Sequence, residues 1–204
     1  MATWTQAGKA RNDFANMIES LSPEQLKLQS LCREWTAEGV LAHLTAFVET
    51  SLFGFFSQMV KAGFNFDKVS IAMANTQLAR PVEDVLATLR AKATKSASLP
   101  VFPEEMTVAD VSIHTQDVRR PLSLPGSLDP AMLRLALDFL TTHKMATTLV
   151  KRPSLEGVKL VATDFDWSFG SGDEISGPGE AIMMALANRD VLDELSGPGV
   201  AKWS

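Results

Sequence analysis

The sequence predicts a mainly α-helical bundle over residues 1–150, followed by a short C-terminal α/β appendage over residues 151–204. Apolar residues recur at helical spacing through the first 150 residues, and capping residues or prolines stand where helices would begin. Residues 158–172, in contrast, are rich in β-branched and aromatic residues, as strands are. We place the domain boundary near Arg152-Pro153, where this change of composition occurs.

Two helices are predicted within the first 60 residues. A partial apolar stripe covers residues 3–20, and Ser22-Pro23 then suits the start of a new helical turn, with serine as the cap and proline at the first position. From Thr36, whose hydroxyl can cap a first turn, to about Val60 the apolar positions follow one face. We therefore predict a single second helix over this stretch.

Three more helices are predicted before residue 150. Residues 62–77 are less regular and predict no element, and residues 99–103 are predicted to form a loop. Helical patterns then cover residues 82–95, 104–120 and 129–150. The prolines that bound them are Pro81, Pro121 and Pro130.

The last 54 residues combine strand and helix. VKLVATDFDWSFGSG is predicted to be strand ending in a glycine-rich turn, and SGPGEAIMMALANRDVLDEL a helix with Glu180 in its first turn. The spacing of Gly170, Gly172 and Gly177 does not match G-x-G-x-x-G, so a hairpin turn is expected here and not a phosphate loop.

The composition argues against several classes of protein. The net charge of −5 gives no basic footprint for nucleic acid, and no stretch approaches the ~20 apolar residues of a membrane span. The N-terminus lacks the apolar run of a signal peptide. The single cysteine, Cys32, allows no intramolecular disulfide, so we predict a soluble cytoplasmic protein. Tyrosine is absent, which leaves acid–base chemistry to Asp, Glu, His or a metal-bound water or thiol.

The histidines indicate a metal site. His114 follows Asp110 by four residues, so both side chains would lie on one face of the fourth helix. His43 interrupts the apolar stripe of the second helix, where a neutral imidazole needs a polar partner or a metal. Two His and one carboxylate leave positions open for water or substrate, as in catalytic metal sites. His43, Asp110 and His114 are therefore candidate ligands of one divalent ion.

The same residues have simpler interpretations. A lone His on an apolar helix face is more often a hydrogen-bonded core residue than a ligand, and a D-x-x-x-H pair can be a surface contact. His143, beside Lys144, is predicted to be a solvated residue near a helix C-terminus. Cys32 has no His near it in sequence, and we interpret it as structural.

Three parts of the chain carry a family resemblance. They are SLCREWTAEGVLAHL (residues 30–44), HTQDVRRPL (residues 114–122), and a tail of residues 157–189 followed by LSGPG at residues 195–199. In order and in composition they resemble the mycothiol-dependent maleylpyruvate isomerase family, a branch of the DinB-like superfamily. The resemblance implies a DinB-like up-and-down four-helix bundle in the first 150 residues.

The resemblance also implies a ligand set. The metal of the family is held by a His on the second helix, a Glu, and a His four residues beyond it; the matching positions are His43, Asp110 and His114. Aspartate is thus a departure from the usual Glu, and Asn188 stands where the family commonly has Gly before an Arg. That arginine, Arg189, is the candidate cofactor- or substrate-binding residue, and no catalytic residue is assigned.

The function implied by the resemblance is thiol activation. A divalent metal, zinc first and nickel or iron as alternatives, would activate mycothiol, which then attacks an electrophilic substrate. We therefore predict a metal-dependent thiol transferase or isomerase. The alternatives are a non-catalytic DinB-like metal-binding stress protein, a metal-dependent hydrolase, and a scaffold that has lost its metal. The expected partners are a small-molecule thiol and an electrophile, without nucleic acid or membrane; a homodimer is compatible with the sequence.

Overall fold

The computed structural model describes residues 4–96, 102–150 and 153–203. The described chain is mainly helical, with a small sheet near its C-terminus, so the predicted fold class is confirmed. Its helices are α1 (Thr5–Glu19), α2 (Pro23–Leu26), α3 (Ala37–Glu49), α4 (Leu52–Lys61), α5 (Phe66–Leu78), α6 (Val82–Ala91), α7 (Glu104–Arg119), α8 (Pro130–Thr142), α9 (Ala146–Leu149) and α10 (Gly179–Leu186). Its strands are β1 (Val158–Ala162), β2 (Ser168–Gly170) and β3 (Asp173–Gly177).

Two compact units can be distinguished among the described residues. One comprises the chain up to residue 107 together with residues 117–125, and the other comprises residues 108–116 and the chain from residue 126 onward. The predicted domain boundary near residue 150 stays a prediction. Arg152 and part of the loop predicted at residues 99–103 lie outside the described residues.

The prediction of one helix from Thr36 to Val60 is wrong. Helix α3 ends at Glu49, and the Ser51 hydroxyl accepts a hydrogen bond from the Gly54 N–H, which caps a new helix, α4. No single helix in the described part of the chain is long and apolar enough to cross a membrane; α3 and α4 pass that test only as a pair bent by 120°.

Helix α5 was not predicted, because Gly63 and Asn65 looked like helix breakers. Gly63 does turn the chain, with φ of 62°, but Asn65 is the N-cap of the new helix. Its side-chain oxygen accepts a hydrogen bond from the Lys68 N–H at 2.9 Å. A short polar side chain next to a turn can thus start a helix as readily as it can end one.

In the first unit, α3 packs against α5 and α6, and α6 also packs against α1. The fully buried side chains include Phe14, Leu41 and Leu89, each of which stabilises the fold by about 1.5–3 kcal/mol through burial. The buried guanidinium of Arg11 donates to the Ala93 carbonyl at 2.7 Å, which satisfies an acceptor just beyond the end of α6.

The strand predicted over residues 158–172 is divided in the second unit into β1 and β2 by a turn at residues 163–167. The hairpin turn expected near Gly170 and Gly172 is wrong, because that segment joins β2 to β3, which do not pair with each other. Strand β1 lies in the middle of the sheet, antiparallel to β2 and parallel to β3. Strand β3 was not predicted, because its DEISG sequence merges with the glycine-rich turn on one side and the helix on the other. The Trp167 indole N–H donates to Asp138 on α8 at 2.8 Å, which fixes the hairpin to that helix.

Three predicted helices end early. The third, predicted to run to about Lys95, ends at Ala91. The fifth ends at Thr142, since the backbone at His143 is extended (ψ 131°), and the short α9 follows it. The C-terminal helix α10 ends at Leu186. Asn188 then adopts φ of 59°, a left-handed conformation that asparagine tolerates better than most residues other than glycine. Asn188 can therefore end α10 in this conformation without a glycine.

Candidate metal centre

His43 lies on α3 and is 5% exposed. Its ring stacks on Trp35 at a centroid distance of 4.1 Å, and Phe47, one helical turn further along α3, meets it edge-on at 5.1 Å. Phe47 in turn packs near Phe55 and Phe66. The imidazole is therefore held in an aromatic setting in which its polar atoms need specific partners.

One of those partners is Ser70 on α5. The Ser70 Oγ lies 3.0 Å from His43 Nδ1, and both residues are buried. If the hydroxyl accepts from the Nδ1–H, the proton is held at Nδ1 and the lone pair at Nε2 faces away from Ser70. This is the arrangement found around metal-binding histidines, whose second ring nitrogen is oriented by an outer partner. In that tautomer, Nε2 is the His43 atom suited to bind a cation.

Asp110 and His114 form the predicted pair on α7. The His114 Nε2 lies 3.6 Å from the Asp110 Oδ1, and the two side chains are 8% and 21% exposed. Two ligand atoms each about 2.1 Å from a tetrahedral ion are about 3.4 Å apart. The distance between His114 Nε2 and Asp110 Oδ1 is therefore close to that between two ligand atoms of one metal ion. The short side chain of Asp reaches far enough for this.

The structure brings the three predicted residues together. One ligand atom from each of His43, Asp110 and His114 lies within 4.8 Å of the other two. Neutral imidazole nitrogens and a carboxylate oxygen are ligands that zinc and related divalent ions accept. The His–Asp–His group can hold a metal ion, and the assignment of these residues as its ligands stays a prediction.

Arg189, the other predicted site residue, lies just after α10. It lines a pocket of about 230 Å³ in the second unit, and its Nη1 donates to the Ala187 carbonyl at 3.0 Å. Other residues lining the pocket are Pro153, Ala185, Asn188, Asp190, Leu192 and Trp203. A role for Arg189 in binding cofactor or substrate is not tested by this geometry and stays a prediction.

His143 and Cys32 lie outside the His–Asp–His group and make local contacts within their own segments. His143 caps the end of α8, stacks on Phe139 at 5.0 Å, and accepts a hydrogen bond from the Met145 N–H at Nδ1. The predicted position of His143 at a helix end is confirmed. Its side chain is half-buried, so the prediction of a solvated residue is only partly right. The partly buried Cys32 Sγ lies 3.5 Å from a Glu34 carboxylate oxygen.

Sequence reasoning did not identify Ser70. Nothing in the pattern around it marks a contact with His43, because the helix that carries it was itself not predicted. Of the two aromatic neighbours of His43, Trp35 and Phe47, the second could be inferred from the sequence. Phe47 lies four residues after His43, so the two side chains share a helix face.

The comparisons with known proteins agree on one family. Residues 7–119 match the family model described as the mycothiol maleylpyruvate isomerase N-terminal domain. Among solved structures, the crystal structures of the mycothiol-dependent maleylpyruvate isomerase and of a point mutant of it are both similar to this chain. Each has a TM-score of 0.51 and 14% sequence identity to this chain. In each case the alignment covers 97% of this chain and 96% of the chain in the solved structure. At this identity the likeness shows the fold alone. The search of curated proteins finds no match.

Proposed function

Because the chain belongs to the mycothiol maleylpyruvate isomerase N-terminal domain family, we propose that it is a metal-dependent enzyme that uses mycothiol as a thiol cosubstrate. The observation that supports this most is the clustering of one ligand atom each from His43, Asp110 and His114 within 4.8 Å. A site with three protein ligands leaves coordination positions for small molecules, as catalytic sites do and closed structural sites do not.

The three residues fit a divalent cation, with zinc as our first choice and nickel or iron as alternatives. A bound divalent cation lowers the pKa of a thiol that coordinates it, so thiolate forms near neutral pH. His43 and His114 offer neutral nitrogen lone pairs, and Asp110 supplies the negative charge of the group. A Ser70 hydroxyl that accepts from the Nδ1–H of His43 would hold the proton there and keep Nε2 available as a ligand.

The chemistry that we propose begins with addition of the thiol to an electrophilic carbon. A carbon–sulfur bond forms, and the thiol proton is transferred to the substrate. If the adduct is released, the net reaction is thiol transfer. If the same thiol is eliminated after rotation about the bond that became single, the net reaction is isomerisation. We further propose a cytoplasmic location, where low-molecular-weight thiols remain reduced.

The test is an activity assay with thiol and metal varied independently. Protein loaded with zinc, nickel or iron(II) is incubated with an electrophile that carries an activated double bond, maleylpyruvate or a chromogenic analogue, with and without mycothiol. We expect turnover only when both the metal and the thiol are present. The His114→Ala variant should be inactive and the His143→Ala variant active, because His143 has its own structural contacts.

Two other outcomes would replace the proposal. Turnover of ester or amide substrates without thiol would identify a metal-dependent hydrolase, in which the site activates water. Metal binding without turnover on any electrophile would identify a non-catalytic metal-binding protein of the same fold.

A further inference from the structure

Helix α4 presents an apolar face that the described chain leaves exposed. Leu52, Phe53, Phe56 and Val60 are 51%, 83%, 60% and 53% exposed. At about 100° per residue they fall within a sector of about 100°. Phe55, in contrast, points the other way and is buried in the hydrophobic cluster of the first unit. The first unit therefore buries one side of α4 and leaves a second apolar side of the helix exposed.

A fifth exposed apolar side chain follows α4 directly in the chain. Phe64, just after α4, is 66% exposed and has φ of 62°, directly after Gly63 with the same φ. A bulky residue in the left-handed region is uncommon and disfavoured, and such strain persists mainly where it serves a purpose. Here the strained turn presents one more exposed ring. We call Leu52, Phe53, Phe56, Val60 and Phe64 the α4 patch.

The size of the α4 patch suits a contact with a second copy of the chain. From the exposed fractions and the usual areas of such side chains, it presents roughly 600 Å² of apolar surface. That is at the upper end of what monomeric proteins expose, about 300–600 Å². Two such patches placed face to face would bury about 1,200 Å², which reaches the range of specific protein–protein interfaces.

The charge distribution also favours a second copy. Within α4 the only charged residue is Lys61, and Asp67 and Lys68 at the start of α5 offset each other. Two identical patches can therefore meet across a two-fold axis without opposing like charges, although the whole chain has a net charge of −5. Helices that bind lipid surfaces carry several Lys or Arg on the polar face, which α4 does not.

We propose that the α4 patch is the self-association surface of a symmetric homodimer. Light scattering and sedimentation equilibrium on the full chain test this directly. The wild-type protein should be a dimer at about 10 µM. The Phe56→Asp substitution places a charge in the centre of the patch. It should raise the dimer dissociation constant at least about 100-fold. The substitution occurs once in each protomer, and each copy is expected to weaken association about tenfold.

Two leucines provide a matched control. Leu52 in the patch and Leu28 outside it are both 51% exposed. We expect Leu52→Asp to weaken the dimer and Leu28→Asp to leave it unchanged, with circular dichroism showing that both variants are folded. A wild-type monomer at about 200 µM would overturn the proposal. So would equal effects of the two leucine substitutions. A monomer that cosediments with phosphatidylcholine vesicles would assign the patch to a lipid surface instead.

Discussion

The Ser70 hydroxyl oxygen lies 3.0 Å from the Nδ1 atom of His43, and this contact links α5 to α3. The two helices pack against each other, so the position of the serine follows from the core of the first unit. A predicted metal ligand is therefore oriented by a residue that has no place in the predicted ligand set. We propose that Ser70 is a positioning residue, whose effect should be measurable separately from that of the ligands.

Replacing Ser70 with Ala should weaken metal binding by about 10–100-fold while the fold is retained. The reason is that the His43 ring loses the partner that fixes its tautomer and rotation. Competition against a chromophoric chelator measures the affinity. Ser112→Ala is a suitable control, because the buried Ser112 hydroxyl has no hydrogen-bond partner among the described residues. Equal affinities for the two variants would contradict the role given to Ser70.

Asp110→Asn should reduce metal affinity at least about 100-fold, because the amide keeps the shape of the side chain but removes its negative charge. Asp110→Glu, which keeps the charge and lengthens the side chain by one methylene, should keep affinity within about tenfold of the wild type. Calorimetric titration with zinc distinguishes the two. An Asp110→Asn variant that binds as tightly as the wild type would exclude the carboxylate as a ligand.

Gly39→Ala should destabilise the protein by about 1 kcal/mol, although Ala is normally the better helix former. A Cβ at Gly39 would lie 2.9 Å from the Cβ of Trp35, the residue that stacks on His43. Gly54 occupies the same position relative to its N-cap in α4, but the closest atom to a Cβ there is the Ser51 hydroxyl oxygen, at 3.2 Å. In urea unfolding, Gly54→Ala should be neutral or stabilising; a stabilised Gly39→Ala variant would show that Trp35 adjusts freely.

Glu49→Gln should destabilise the protein at pH 7 by about 1–2 kcal/mol. The hydrogen bond from Lys92, helped by Gln77 and by the nearby charge of Arg80, holds the pKa of Glu49 below its ordinary value of 4.5. A lowered pKa in the folded state means that the stabilisation is present above the unfolded-state pKa. It is lost as the pH falls through the folded-state value.

Urea unfolding of wild type and Glu49→Gln at pH 7 and at successive values below 4.5 measures this loss. The difference between the two proteins should shrink as Glu49 becomes protonated. Glu19→Gln serves as the control, since the Glu19 side chain is 64% exposed in its pair with Arg90 and should change stability by less than about 0.5 kcal/mol. A Glu49 difference that stays constant with pH would show that its charge is not involved.

Local patterns in the sequence pointed to the three residues of the candidate metal site, and the family resemblance gave the same set. The four-residue spacing of Asp110 and His114 placed both on one helix face, and the apolar residues around His43 indicated a buried imidazole. The mainly helical class followed from the same periodicity. What local patterns did not contain was the partner of His43, because Ser70 lies 27 residues away and on a helix whose cap, Asn65, looked like a breaker.

The break between α3 and α4 was hidden for a related reason. The apolar stripe continues across Thr50 and Ser51 without proline or glycine, so periodicity alone predicts one helix. The capping hydrogen bond of Ser51 and the bend between α3 and α4 depend on tertiary packing, in which Phe55 of α4 is buried in the hydrophobic cluster. Strand β3 is a similar case, since its place beside β1 comes from a parallel pairing that no local pattern shows.

Elemental analysis of the purified protein tests the central claim most directly. The claim is that His43, Asp110 and His114 together hold one divalent ion. We predict about one equivalent of zinc, nickel or iron per chain, retained in His143→Ala and lost in both His43→Ala and His114→Ala. A wild-type protein that holds no metal after incubation with excess divalent ions would contradict the claim. Stoichiometric metal in either His43→Ala or His114→Ala would contradict it equally.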